Sequence, residues 1–268
     1  MEYSICEIAR FLNISREMIR YYEKWDVISP KRNKTNNYRS YGILDLFMLM
    51  DAIQYKSWGI SVRNMCEMRK GNFFEKAGSQ LREYYRELEK EVTYKQLLLE
   101  RIEFVAERAQ TAHLNLKNHW IRKIPEHYFI PLVQGDGDYY GEIEMSNEIS
   151  AVLLSDRVAP FWNPCFEEVG EHQLWGLYIE KRYADILDIS SLENMRYRPS
   201  QICLCSIVDL GAVGRFDSDY SQKALQYMKE IGYEQSSTIE ALLLGRGVEG
   251  EKDIRMMELH IPVREKTL

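Results

Sequence analysis

Residues 4–24 constrain the fold most, because they read as two short capped helices joined by a tight turn. Ser4 and Glu7 have the spacing of a capping box, in which the serine oxygen accepts an amide proton and the glutamate reaches back to the cap amide. Ile5, Ile8, Ala9 and Leu12 then recur at helical spacing, so one face is apolar. Asn13 tolerates the turn. Ser15 can cap a second helix whose Met18, Ile19 and Tyr22 face inward. On its other face Arg16, Arg20 and Lys24 form one stripe with Tyr21 beside them. Such a stripe can meet phosphates and base edges in a major groove.

The chain of 268 residues carries a formal net charge of −6, which alone would disfavour nucleic acid. The charge is unevenly distributed: residues 1–70 hold 12 Lys/Arg against 8 Asp/Glu, residues 71–118 balance, and residues 119–268 are net −10. A basic head on an acidic body is the asymmetry of a protein that meets DNA with one part only. No apolar run reaches the ~18 residues of a membrane span, and no signal peptide is legible, so a cytoplasmic chain is expected. The five cysteines form no CxxC and read as free thiols. Cys203 and Cys205 would share one side of a strand and could bind a soft metal there, but plain core thiols are the expected reading.

After the two helices, residues 30–41 carry four basic side chains and no acid, and they read as a hairpin or wing. Asn36-Asn37 suits the positive φ of a tight turn, and Tyr38, Arg39 and Tyr41 begin the returning strand. A third helix is predicted over residues 44–57, with Leu46, Leu49, Met50 and Ile53 inward. Trp58-Gly59-Ile60 stops it, and Ser61 caps a short fourth helix.

Residues 74–116 contain no proline, and steps of four and three from Leu81 trace a seam: Leu81, Tyr85, Leu88, Val92, Lys95, Leu99, Ile102, Ala106, Ala109, His113, Leu116. Nine of these eleven positions are apolar or aromatic, so the seam asks for a partner, either its own domain or an antiparallel coiled coil joining two subunits. The coiled coil is the expected use. Beyond Pro125, β-rich runs recur at 149–154, 173–179, 201–210, 238–244 and 254–263, with a sided helix at 219–231. The fold expected is therefore multidomain α and α+β: 1–73 a winged helix-turn-helix, 74–118 a dimerisation helix, 119–268 an α+β domain.

Tyr3-Ser-Ile, Glu7-Ile-Ala, the block from Met18 to Glu23, Ile28-Ser-Pro-Lys-Arg32, residues 38–41 and Trp58-Gly-Ile-Ser61 resemble, in register, the DNA-binding domain of MerR-family transcription regulators. Asp26 and Asn37 stand where that family often has glycine. The resemblance implies a homodimer on double-stranded promoter DNA that activates by distorting an over-long spacer, and so acts on RNA polymerase indirectly. By the same resemblance Arg20, Tyr21, Tyr38, Arg39 and Tyr41 contact the DNA backbone, and Arg16 reads bases.

Trp175-Gly-Leu-Tyr178, residues 225–244 and the closing run 255–263 resemble, more sparsely, a GyrI-like (BmrR-like) effector-binding domain. In that family an acid within an aromatic cavity receives lipophilic cations, which offset a buried carboxylate while ring faces add cation–π attraction. Glu240 falls at the matching position, with Glu258 as the alternative acid, and Tyr139, Tyr140, Trp162, Trp175, Tyr178, Tyr197 and Tyr220 are the candidate rings. The resemblance implies a small, cationic aromatic effector, no cofactor and no membrane partner. Two other readings remain open: a hydrolase with Glu240 as base toward water, and a thiol metal or redox sensor through Cys203 and Cys205. No nucleophile–base pair, His-ligand spacing or glycine-rich phosphate loop is legible, which makes a non-enzyme the expected class.

Overall fold

The computed structural model describes residues 2–32, 37–68, 72–143, 145–213, 216 and 219–266. The chain forms two compact units, divided between Thr93 and Tyr94.

In the first unit, helices α1 (Ile5–Leu12) and α2 (Arg16–Lys24) begin where their caps place them. The Glu7 amide donates to Ser4 Oγ at 3.3 Å, the Ser4 amide donates to Glu7 Oε2 at 2.7 Å, and the Met18 amide donates to Ser15 Oγ at 3.1 Å. Strands β1 (Lys31–Arg32) and β2 (Arg39–Ser40) form the antiparallel base of the wing. Asn36, expected in its turn, lies outside the described residues. Helix α3 (Ile43–Ser57) and helix α4 (Val62–Met68) follow, and the Asn64 amide donates to Ser61 Oγ at 3.2 Å. Ile8, Ile19, Tyr22, Leu46, Leu49, Ala52 and Met65 close one core. Met50, expected inward, is exposed: the buried stripe of α3 runs through 46, 49 and 52, which turns position 50 outward.

Helix α5 (Phe73–Thr111) is shared between the units. Leu81 and Tyr84 pack on the first core, and Tyr94, Leu97 and Leu98 pack on a core of the second. The helix stops at Thr111, so His113 and Leu116 do not continue the seam. There the chain is drawn onto the sheet: Leu116 bridges Ile207, and the Lys117 amide donates to the Ile207 carbonyl at 3.3 Å.

The second unit is built on strands β3 (His119–Ile124), β4 (His127–Asp136), β5 (Tyr139–Tyr140), β6 (Trp162–Val169), β7 (His172–Glu180), β8 (Arg196–Arg198), β9 (Gln201–Asp209), β10 (Tyr233–Gln235), β11 (Glu240–Glu249) and β12 (Lys252–Glu265). Among the described residues they make one ten-stranded antiparallel sheet in the order β3-β9-β12-β11-β6-β7-β4-β5, with β10 beside β12 and β8 beside β4. Helices α6 (Asn147–Leu153), α7 (Lys181–Ile186) and α8 (Gln222–Glu230) complete it. Residues 149–154, expected as β, are mostly helix α6. The Ile149 amide donates to Ser146 Oγ at 3.3 Å, and Ile149 and Leu153 face the core at i, i+4, so the cap decided a run whose period is ambiguous.

Alternation across the strands separates two faces. Cys165, Tyr178, Cys205, Glu240, Leu242, Glu258 and His260 share one face. Phe166, Trp175, Ala241, Leu243, Met257 and Leu259 share the other. Helices α6 and α7 pack with Leu177 and Ile179 on this second face, and α8 packs with Leu204 and Ile261. The end of α5 meets the first face, where Ala112 packs with Ile207 and Met256.

Candidate nucleic-acid interface and effector site

Helix α2 leaves Arg16, Arg20, Tyr21 and Lys24 exposed, because Ile19 and Tyr22 take the buried side. Tyr38 is exposed on the wing. Arg39 Nε donates to both oxygens of Glu23, at 2.8 and 3.0 Å, and so fastens the wing strand to α2. Tyr41 corrects the expected set. It is 0% exposed, its hydroxyl has no hydrogen-bond partner among the described residues, and its ring belongs to the core with Ile8 and Ile19. Mutual backbone hydrogen bonds with Tyr3, at 2.8 and 2.9 Å, fix that position, so Tyr41 is a packing residue and offers no side chain to a phosphate.

Both candidate acids of the second unit lie on the first face of the sheet, and both are already compensated. Glu240 is buried and accepts from His127 Nε2 at 3.0 Å, while the other ring nitrogen of His127 meets the Pro125 carbonyl at 2.9 Å. Burial pushes the Glu240 carboxyl up, but the His127 hydrogen bond and the charges of His127, His260 and Arg198 outweigh it and hold it below its ordinary range. Glu258 is 1% exposed and shared by two guanidinium groups: Arg122 donates to Oε1 at 2.6 Å, and Arg108 pairs with Oε2. His260 Nε2 lies 3.1 Å from the same carboxylate.

The alternative of a metal held by Cys203 and Cys205 does not match the donor atoms that converge. The donor atoms that come within 4.8 Å of one another, among the described residues, are those of Cys205, Glu258 and His260. Two guanidinium groups already occupy the oxygens of Glu258. Burial and Arg122 push the His260 imidazole down to about 3, and burial raises the Cys205 thiol to about 11. This environment opposes a further cation. All five cysteines are free thiols.

The candidate rings do not gather round one of the two predicted acids; Asp253 is the carboxylate that lines the cleft formed by three of them. Tyr140, Trp162 and Trp175 line a mostly apolar cleft of about 920 Å³ with Leu132, Met145 and Leu243. Tyr140 meets Trp175 edge-on at 5.6 Å, and Trp162 Nε1 donates to the Leu153 carbonyl at 2.8 Å. Trp175 faces away from Glu240 because Phe166 and Trp175 alternate with Cys165 and Tyr178. Tyr178 is stacked on His127 at 4.3 Å. Tyr197 donates to Glu126 at 2.6 Å and shares a small cavity with Glu240 and Arg198. Tyr220 pairs with Glu168 beside Phe166 and Phe216, and Tyr139 is exposed. A carboxylate within an aromatic cavity is therefore absent from the described residues at both predicted acids.

Residues 3–64 match the MerR HTH family regulatory protein model. No curated protein matches the chain. Among solved structures, the EcmrR–DNA complex in EcmrR-RPo, determined by cryo-EM, is similar at 14% identity and a TM-score of 0.33, covering 99% of this chain and 100% of that one. The crystal structure of the EcmrR C-terminal domain is similar at 13% identity and a TM-score of 0.37, covering 55% of this chain and 98% of that one. The match covers the helices, caps and wing base of the first unit, so residues 3–64 are a MerR-family helix-turn-helix domain.

Proposed function

We propose that the chain acts as a homodimeric transcription activator that distorts a promoter spacer when a lipophilic, aromatic effector, cationic members included, fills the cleft at Tyr140, Trp162 and Trp175. The division of labour follows residues 1–73 for DNA, 74–118 for dimerisation and 119–268 for the effector. The observation that carries the reading is the large apolar cleft within a chain whose other unit presents the basic stripe of α2. Clefts of this size, lined mainly by rings and aliphatic side chains, suit small-molecule ligands. Ring faces attract a cation, and the carboxylate that lines this cleft, beside Arg246 and Arg255, is Asp253, so Glu240 is a packing partner of His127 in this reading and the effector does not touch it. The antiparallel coiled coil is proposed for the exposed part of the α5 seam, Tyr85, Leu88, Val92, Leu99 and Ile102.

Tryptophan fluorescence of the full chain, titrated with tetraphenylphosphonium and with neutral triphenylphosphine oxide, tests the effector site. Both ligands should quench, Trp175→Ala should weaken both at least tenfold, and Glu240→Gln should leave both within twofold. Binding that ignores Trp175→Ala would move the effector elsewhere. A loss for the cation alone in Glu240→Gln would restore that acid as the counter-charge.

A further inference from the structure

On the polar face of the sheet a second cavity, of about 190 Å³, lies between the last turns of α5 and the strands. Arg101, Phe104 and Arg108 enter it from one side of α5 at i, i+3, i+7, and Arg122, Tyr178 and His260 come from β3, β7 and β12. It shares only Leu243 with the aromatic cleft.

Its charges do not balance. Arg108 and Arg122 both lean on the single carboxylate of Glu258. Arg101, 6% exposed, donates, among the described residues, to neutral oxygens only: the Pro160 carbonyl at 3.1 Å and Asn163 Oδ1 at 2.7 Å. Glu180 also lines the wall, but Arg182 donates to it at 2.8 Å. Three guanidinium groups thus face Glu258 and a Glu180 that is shared with Arg182, a surplus of positive charge, and buried charge without a counter-charge is costly. Burial, and to a lesser degree the neighbouring charge of Arg122, push the Arg108 guanidinium down to about 10. A second observation is independent of charge. His260 is buried with Nδ1 lacking a hydrogen-bond partner, and Arg122 Nε lacks one too, among the described residues.

We propose that this cavity binds a small organic carboxylate. The guanidinium fork matches a carboxylate in two parallel hydrogen bonds, and the anion supplies the charge the site lacks. Phe104, Pro125, Tyr178 and Leu242 give the organic part an apolar wall, which bare phosphate or sulfate would leave uncovered. The bound anion touches α5, whose helix continues to Phe73 in the DNA-binding unit. This is a second ligand site, and it stands whether or not an effector occupies the aromatic cleft.

Calorimetric titration of the full chain with benzoate, its neutral counterpart benzamide, and inorganic phosphate tests it. Benzoate should bind at least tenfold more tightly than either, should be unaffected by Trp175→Ala, and should not compete with tetraphenylphosphonium. Arg122→Gln should cost benzoate at least tenfold and benzamide nothing. If that variant fails to fold, Arg122→Lys, which keeps the charge and removes the fork, should still cost several-fold. Equal affinity for benzoate and benzamide, displacement by phosphate at equal concentration, or benzoate binding indifferent to both Arg122 variants would overturn the proposal.

Discussion

Asp26 and Asn37 hold φ at 54° and 56°, in the left-handed region that glycine enters freely and most side chains avoid. Both were readable as glycine substitutes from the motif around them, because Asn and Asp are the residues that tolerate this backbone best. His260 was not readable. In the sequence it is one of five histidines, and only pairing of β12 with β9 and β11 brings it to Cys205 and Glu240, and beside Arg122. Its folded value of about 3 has a direct consequence for stability. As pH falls below the unfolded value of about 6.5, the unfolded chain takes up a proton that the folded chain refuses. Stability therefore falls with pH, by up to about 1.4 kcal/mol per pH unit from this group. The charged and titratable groups facing it are Arg108, Arg122, His127, Glu240 and Glu258, with Cys205 alongside. Denaturant melts at pH 7.5, 6.5 and 5.5 should show this loss, and His260→Gln should flatten it. An unchanged slope in the variant would assign the acid sensitivity to another group.

Among elements, those with caps and a sustained period were legible: α1, α2, α3, α5, and the long strand β12. Short elements were less so. Helix α6 has too few turns for its period to stand out, and its starting serine was the better signal. The wing shows a different limit. Its basic residues were plain, but the bridge to Tyr3 just after β2 breaks the strand's alternation and leaves Tyr41 buried beside Ser40, and Arg39 is engaged by Glu23. Helix α2 thus presents, among the described residues, a cation without such a tie at Arg20. Arg20→Ala should weaken promoter binding on every sequence tested and reduce the slope of log K against log salt by about one. Filter binding across a salt series measures this directly, and an unaltered slope would remove Arg20 from the phosphate contacts.

For the whole molecule, charge asymmetry and the break in composition near Pro125 pointed to three parts, 1–73, 74–118 and 119–268, whereas the chain divides into two compact units inside α5, between Thr93 and Tyr94. The contents of the second unit were not legible, because Arg108, Arg122 and Glu258 come from distant stretches that only the sheet register unites. The same holds for the cleft, whose rings were named but whose separation from Glu240 depends on which face each strand turns inward. Oligomeric state is the property with the clearest test at this scale. Leu88 and Leu99 are 58% and 68% exposed on α5, an unusual cost for two leucines on one seam unless a second copy covers them. Leu88→Glu with Leu99→Glu should convert a dimer to monomers by light scattering. Persistence of the dimer would place the interface on another surface.

Helix α5 also decides how the chain comes apart. The boundary between the two units falls inside a helix, at Thr93, where each backbone amide is tied to a carbonyl four residues earlier. Melting either unit therefore releases a helix end into the other and frays it from the boundary inward, turn by turn. The units have separate cores, yet one run of ordinary peptide hydrogen bonds passes from one into the other.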